Sequence, residues 1–180
     1  FSHFFSAGNS CDVDVCDFIS YLADNDDTRA SACLLEGVTD GGRFLEAARK
    51  ARDARKALIV YKTGNSETSS KAAMSHTGTM VGSAVAYRTA FEEAGAIAVD
   101  DLESVLETAS FFAKTTAPSA GRGVGILSTS GGAAVICADK AEVHGVPLPA
   151  LEAKTAEALH TVVPDFGSVA NPSDLTAEVL

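Results

Sequence analysis

The sequence offers no run of lysine and arginine, and its 24 acids against 14 bases leave a formal net charge of -10. A surface of that sign repels the phosphates of nucleic acid and of anionic lipid, so neither class of partner is expected. An anionic small molecule stays open, because N–H groups at a helix start hold phosphate without any basic side chain. Cysteine is scarce as well. Cys11, Cys16, Cys33 and Cys137 lack the close paired spacing of a zinc site and are too few for a disulfide framework in a chain of 180 residues. They read as reduced residues in or near the core, and no metal site is expected. No stretch reaches the ~18 consecutive apolar residues that a membrane span needs. No basic start followed by an apolar run marks the chain for export, so a cytoplasmic location is the expectation. Heptads, low-complexity tracts and short tandem repeats are missing too.

What is present is ordinary globular material. With 46% hydrophobic and 21% charged residues, the chain has enough to bury a sizeable core in one α/β domain or two small ones. The apolar run from Phe1 to Ala7 reads as a strand with no initiating Met, as in a piece of a longer polypeptide. It ends at Gly8-Asn9, after which Val15, Phe18, Ile19 and Leu22 share a helical face. Asp12, Asp14 and Asp17 crowd that helix's first turns, where negative charge is favoured. Ala32 to Leu35 forms the next strand and leads through Gly37 to a helix with Phe44, Leu45 and Ala48 on its stripe. Ala57 to Tyr61 is a third strand. A Ser-, Thr- and Gly-rich loop from Thr63 to Gly78 then leads into a helix around Val81 to Glu93.

Ile97 to Val99 makes a fourth strand, and Leu102, Val105, Leu106, Ala109 and Phe112 make the following helix. This alternation argues for right-handed crossovers and a flavodoxin-like parallel sheet with helices on both faces. Thr115 to Arg122 breaks both periodicities and reads as a linker. The pattern restarts with a strand from Val124 to Leu127, the turn Ser128-Thr129-Ser130-Gly131-Gly132, and a helix that Gly145 terminates. The expected division is therefore 1–117, then the start of a second α/β domain over 122–180, which has fewer units than a self-sufficient domain needs.

Ligands of open parallel sheets bind past the carboxyl ends of the strands, which directs attention to four loops. They hold Gly8-Asn9, Glu36-Gly37, Ser75-His76-Thr77-Gly78 and Ser128 to Gly132. His76 sits among small residues that leave room for a ligand. A neutral imidazole there can attack phosphorus through one nitrogen while the other donates a hydrogen bond to a fixed acceptor. Glu36, an acid closing an apolar strand, is the candidate acceptor. On the residues alone, a locally bonded loop histidine and a purely steric Gly-Gly turn are open readings, and propensity favours reading Glu36 as a solvated strand-end acid. His3, His144 and His160 have no companions at metal-ligand spacing. No serine sits in a Gly-x-Ser-x-Gly elbow, which speaks against a serine hydrolase.

Taken in order, Phe5-Ser6-Ala7-Gly8-Asn9, Asp12-Val13-Asp14, Leu35-Glu36-Gly37, Arg43-Phe44-Leu45 and Ser75-His76-Thr77-Gly78 resemble the NDP-forming acyl-CoA synthetases, relatives of succinyl-CoA synthetase. The turn Ser128 to Gly132 is similar to that family's Thr-Asn-Gly-Gly-type loop, and Asn171-Pro172-Ser173-Asp174-Leu175 to its Asn-Pro-x-Asp-Leu segment. The resemblance implies a relay in which acyl-CoA and phosphate give acyl phosphate and CoA, phosphate passes to His76, and the phosphohistidine makes or consumes NTP. By the same resemblance Glu36 orients and stabilises His76, and Ser128, Thr129, Ser130, Gly131 and Gly132 hold phosphate. Ser75, Thr77, Gly78, Gly8 and Asn9 support the loops. It further implies coenzyme A, ATP or ADP with Mg2+, a carboxylic acid or its acyl-CoA, and CoA-binding Rossmann and ATP-grasp domains on the same polypeptide or a partner subunit, in a homo- or hetero-oligomer. Two departures stand out. The family's first strand and helix, with another Ser-Gly turn, are not in the sequence, and the second domain is short, so this piece alone is expected to be inactive. The alternative is a non-catalytic regulatory module of an acetyltransferase fusion; a flavin- or nucleotide-binding domain leaves the Ser-His-Thr-Gly loop unexplained.

Overall fold

The computed structural model describes residues 1–66, 68–69, 83–115 and 121–177. Its Cα positions divide into two compact units, Phe1–Ala117 and Pro118–Leu180. In the first, helix α1 (Val15–Asp24) precedes strand β1 (Ala30–Leu35), then come α2 (Gly41–Asp53), β2 (Ala57–Lys62), α3 (Ala84–Ala94), β3 (Ile97–Val99) and α4 (Leu102–Lys114). The strands form one parallel sheet in the order β1-β2-β3.

Register decides which side chains share a face. Ser31, Cys33 and Leu35 lie beside Leu58, Val60 and Lys62, while Ala32 and Leu34 lie beside Ile59 and Tyr61. Because side chains alternate along a strand, Leu35, Leu58 and Val60 turn to one side. There they join Cys16, Ile19 and Ala23 of α1, Phe44, Ala47, Ala48 and Ala51 of α2, and Phe91 and Ala94 of α3 in a single buried cluster. The buried residues of α2 follow the i, i+3, i+4, i+7 spacing of an amphipathic helix. Small alanines bring that helix close to β2. Ile59 faces the other side, where α4 buries only Val105 and leaves Leu102, Leu106 and Phe112 exposed. The sheet is thus helix-covered on both faces as expected, but far more thickly on one.

The expected first strand is absent, since residues 1–7 take no strand conformation. Aromatic packing accounts for the difference. Phe5 stacks on Phe18 of α1 with ring centroids 4.5 Å apart and lies edge-on to Tyr21, and His3 also packs against Phe5 and Tyr21. The apolar run therefore lines the outside of α1 instead of adding a backbone ladder.

The cysteines also differ partly from expectation. All are free thiols, but only Cys16 is buried and Cys33 half-buried, whereas Cys11 and Cys137 are exposed. Burial pushes the Cys16 thiol up to about 11 and the Cys33 thiol up to about 12. Thiolate is the reactive form, so a chromogenic disulfide reagent at pH 8 should titrate two of this chain's four thiols in the native state and all four after denaturation. Fast reaction of three or four native thiols would contradict this core. Because both folded thiols hold their protons more tightly than unfolded ones, they favour the fold up to pH ~9, and that contribution is lost as pH rises toward 12.

The second unit contains β4 (Leu127–Ser128), α5 (Gly131–Val143), α6 (Ala153–His160) and β5 (Ser173–Asp174). Strands β4 and β5 pair in parallel. The strand expected over Val124 to Leu127 begins only at Leu127: Ile126 N–H donates to Asn171 Oδ1 at 3.0 Å and Asn171 Nδ2 donates to the Val124 carbonyl at 2.8 Å, while the Ile126 carbonyl accepts from Ser173 N–H at 2.8 Å. Among the described residues, this unit buries Ala134, Ala141 and Val163 and leaves Val135, Ile136, Val143 and Phe166 exposed.

Candidate functional site

The helices of the first unit begin at the carboxyl edge of the sheet, and their first turns are built to be there. Asp14 caps α1 by accepting from the Cys16 and Asp17 N–H groups, and Asp17 accepts in return from the Asp14 N–H, a capping box. That reciprocal bond, with Arg43 beside it, holds the Asp17 carboxyl below the usual carboxylate range. Asp40 caps α2 through the Arg43 N–H, and Asp101 caps α4 through the Ser104 N–H. Arg43 in the first turn of α2 reaches Asp14 at 2.8 Å and Asp17 at 2.7 Å, while Lys50 near its end reaches Asp24 at 2.6 Å. These pairs lock α1 and α2 side by side and parallel, so α1 also starts at the carboxyl edge. The Gly8-Asn9 turn precedes that start, with Gly8 and Ser10 in the left-handed region and Ser10 N–H donating to the Ala7 carbonyl.

Glu36 follows β1 directly and is exposed. Its backbone surroundings are fixed on both sides. Thr63, the first residue after β2, donates to the Leu35 carbonyl through N–H at 2.8 Å and Oγ1 at 3.3 Å, and Val38 N–H donates to the Tyr87 hydroxyl of α3 at 3.1 Å. Thus β1's exit, β2's exit and the first turn of α3 converge on one small region. Ser75, His76, Thr77 and Gly78 lie outside the described residues. The chain that carries them leaves β2 at Thr63 and returns at Ser83, before α3. Ser66 and Ser69 begin it with reciprocal hydrogen bonds of 3.0 and 3.1 Å.

The sequence reading missed Lys62. It ends β2 on the heavily packed face, buried at 5% exposure. Its ammonium donates to the Thr63 carbonyl and lies 5.0 Å from the Tyr87 ring centroid. Burial pulls its pKa down, and the Glu36 carboxylate nearby counters that. The available signal was a charged residue where Leu58 and Val60, on the same face, are apolar.

In the second unit, Ser130 caps α5 by accepting from Ala133 N–H, and Ser128 Oγ donates to the Ser130 carbonyl and accepts from the Ser130 N–H. Gly131 and Gly132 open the helix. A Cβ on Gly131 would lie 2.7 Å from a carboxylate oxygen of Asp174, so a larger residue would displace that carboxylate from the helix start. The segment Asn171 to Leu175 is therefore the turn's structural partner: Asn171 ties down residues 124 and 126, Ser173 is fully buried and donates to the Ala170 carbonyl, and Asp174 abuts the helix start. Among the described residues, no group of three or more His, Cys, Asp and Glu side chains converges as metal ligands, and no helix is long and apolar enough to cross a membrane.

The chain is 39% identical over 177 residues to the acetate–CoA ligase (ADP-forming) II subunit alpha of Pyrococcus furiosus, covering 98% of this chain and 38% of that one. It is 34% identical to the 4-hydroxybutyrate–CoA ligase (ADP-forming) of Nitrosopumilus maritimus, over 99% of this chain and 25% of the relative. The dinucleotide-forming acetyl-coenzyme A synthetase 1 of Ca. Korarchaeum cryptofilum, solved with phosphate and ADP, superposes with a TM-score of 0.84 at 30% identity, over 96% of this chain and 37% of that structure. The chain thus spans between a quarter and two fifths of these proteins. The model of the succinyl-CoA ligase-like flavodoxin domain matches residues 1–112, and the chain belongs to that family.

Proposed function

We propose that the full-length protein carrying this chain is an NDP-forming acyl-CoA synthetase, interconverting acyl-CoA, phosphate and NDP with carboxylic acid, CoA and NTP, and that His76 carries the phosphoryl group. The observation that supports it most is the convergence at one sheet edge of the Glu36 loop, the exit toward His76 and the first turn of α3, in a chain whose relatives are ADP-forming CoA ligases.

The reaction begins when a phosphate oxygen attacks the thioester carbonyl, the C–S bond breaks and CoA leaves as thiolate. One nitrogen of the His76 ring then attacks the phosphorus of the acyl phosphate. The P–O bond to the acyl group breaks and its electron pair departs with the carboxylate. Attack makes the ring cationic; Glu36, accepting the hydrogen bond from the second ring N–H, stabilises that charge and fixes the tautomer. The reverse displacement passes the phosphoryl group to an NDP oxygen. The start of α5, capped by Ser130 and opened by Gly131 and Gly132, supplies N–H groups oriented to hold phosphate. CoA and the nucleotide are held mainly by Rossmann and ATP-grasp domains, on the same polypeptide or a partner subunit. Mg2+ accompanies the nucleotide there and neutralises its phosphates; the described residues form no site for it.

The test is incubation of the full-length protein with radiolabelled phosphate and, in turn, acetyl-CoA and 4-hydroxybutyryl-CoA, or with ATP labelled in its terminal phosphate. Covalent label stable in base and lost in acid is the expected result. Absence of such label under all these conditions would overturn the reading.

A further inference from the structure

Lys62 is hard to explain as a stabilising residue. Removing an ammonium from water costs several kcal/mol unless partners replace the water, and the same face of β2 is otherwise filled by Leu58 and Val60. An apolar side chain would continue that core. Among the described residues, the groups that contact the Lys62 ammonium are both at the candidate site, the Thr63 carbonyl on its own strand's exit and the Tyr87 ring from α3, and Leu35, beside Lys62 in the register, leads directly into Glu36. Each is tied to the next. Thr63 donates twice to the Leu35 carbonyl, the Tyr87 hydroxyl accepts from the Val38 N–H, and the Lys62 carbonyl accepts from Asn65 Nδ2 at 2.6 Å. The ammonium therefore lies where the acid's loop, the outgoing chain toward His76 and α3 meet.

We propose that Lys62 is a positioning residue for phosphoryl transfer, its ammonium holding the Thr63 backbone, and through it the Leu35 carbonyl that precedes Glu36, in the arrangement that presents Glu36 to His76. This rests on the roles given above to His76 and Glu36. A charge that serves the site at some cost to the fold makes a specific prediction. Lys62→Met, which keeps the stem and removes the charge, leaves the melting temperature equal or higher but slows phosphohistidine formation about tenfold at saturating acyl-CoA and phosphate.

The decisive measurement is a double-mutant cycle on the full-length protein. Single-turnover label uptake is followed in the wild type, Glu36→Gln, Lys62→Met and the double variant. If Lys62 works through Glu36, the double variant is no slower than Glu36→Gln alone. A residue that merely supports the fold would give losses that multiply, and multiplication overturns the proposal, as does wild-type speed in Lys62→Met. Lys62→Arg, which retains the charge, should recover most of the rate. Should Lys62→Met not fold, the cycle is run with Lys62→Gln, which also removes the charge, and read by the same criterion. Failure of the wild type to take label refutes the phosphohistidine reading and this proposal with it; label in the wild type with multiplying losses refutes this proposal alone.

Discussion

His76→Ala in the full-length protein is expected to abolish acid-labile phosphate uptake from both directions, from acyl-CoA with phosphate and from NTP. The overall reaction should fall by about 10^4 or more, as when a covalent nucleophile is removed from a set of groups that act as a unit. Neither half-reaction offers an alternative route, because the histidine is the carrier common to both. Circular dichroism and melting temperature should be unchanged, since β2, α1, α2 and α3 build the core from other residues. His76→Asn is the companion variant: it keeps a polar side chain of similar size and removes the nucleophilic ring nitrogen, so it should be as inactive as alanine. Label persisting in either variant would move the carrier to another residue, with His3, His144 and His160 the next to be replaced. Coenzyme A release without label would instead signal simple thioester hydrolysis, a different enzyme.

Much of the first unit was legible because its signals are local. The stripe of α2, the apolar strand β2 and the acids at the helix starts each follow from spacing or from the electrostatics of a helix terminus. Asp14 caps α1 where such residues are favoured, and Asp40 and Asp101, which no sequence signal singled out, cap α2 and α4 in the same way. The misreadings came from tertiary choices that spacing does not encode. Phe1 to Ala7 has the composition of a strand, but whether Phe5 joins a sheet or stacks on Phe18 depends on what lies beside it. At Val124 and Ile126, polar groups of the expected strand bond the Asn171 side chain, 45 or more residues away.

The candidate site was legible to a lesser degree and in a different way. Glu36 and the Ser128 to Gly132 turn stand out in the sequence because ligand loops follow strands, and in the structure Glu36 directly follows β1 while the turn begins at the last residue of β4. Lys62 was passed over because a lysine closing an apolar strand usually reaches water with its head group. Only the register, which places it on the face of Leu58 and Val60 under the Tyr87 ring, shows it to be buried. Asp174 was noticed only within a motif. Its reason to exist is visible in the close approach of its carboxylate to Gly131, a contact between segments more than forty residues apart.

Phe44→Ala should be the most damaging single truncation of the first unit's core, costing about 3–5 kcal/mol in chemical denaturation, with the midpoint shifted and the slope unchanged. Phe44 is 3% exposed, and its ring lies 5.3 Å from that of Phe91, which in turn lies 5.7 Å from Tyr87. Removing it leaves a cavity at the crossing of α2 and α3, where the surrounding alanines are too small to collapse into the space. Phe111→Ala, at an exposed position of α4, should change stability by less than about 0.5 kcal/mol. The effect should also reach the site. Tyr87 receives the Val38 N–H and covers Lys62, so loosening Phe91 lets α3 shift relative to the Glu36 loop. Under conditions where Phe44→Ala is still folded, label uptake should therefore be slower than in Phe111→Ala, although residue 44 touches none of the reacting atoms. Equal rates in the two variants would separate the core from the chemistry and leave Tyr87 as a packing residue only.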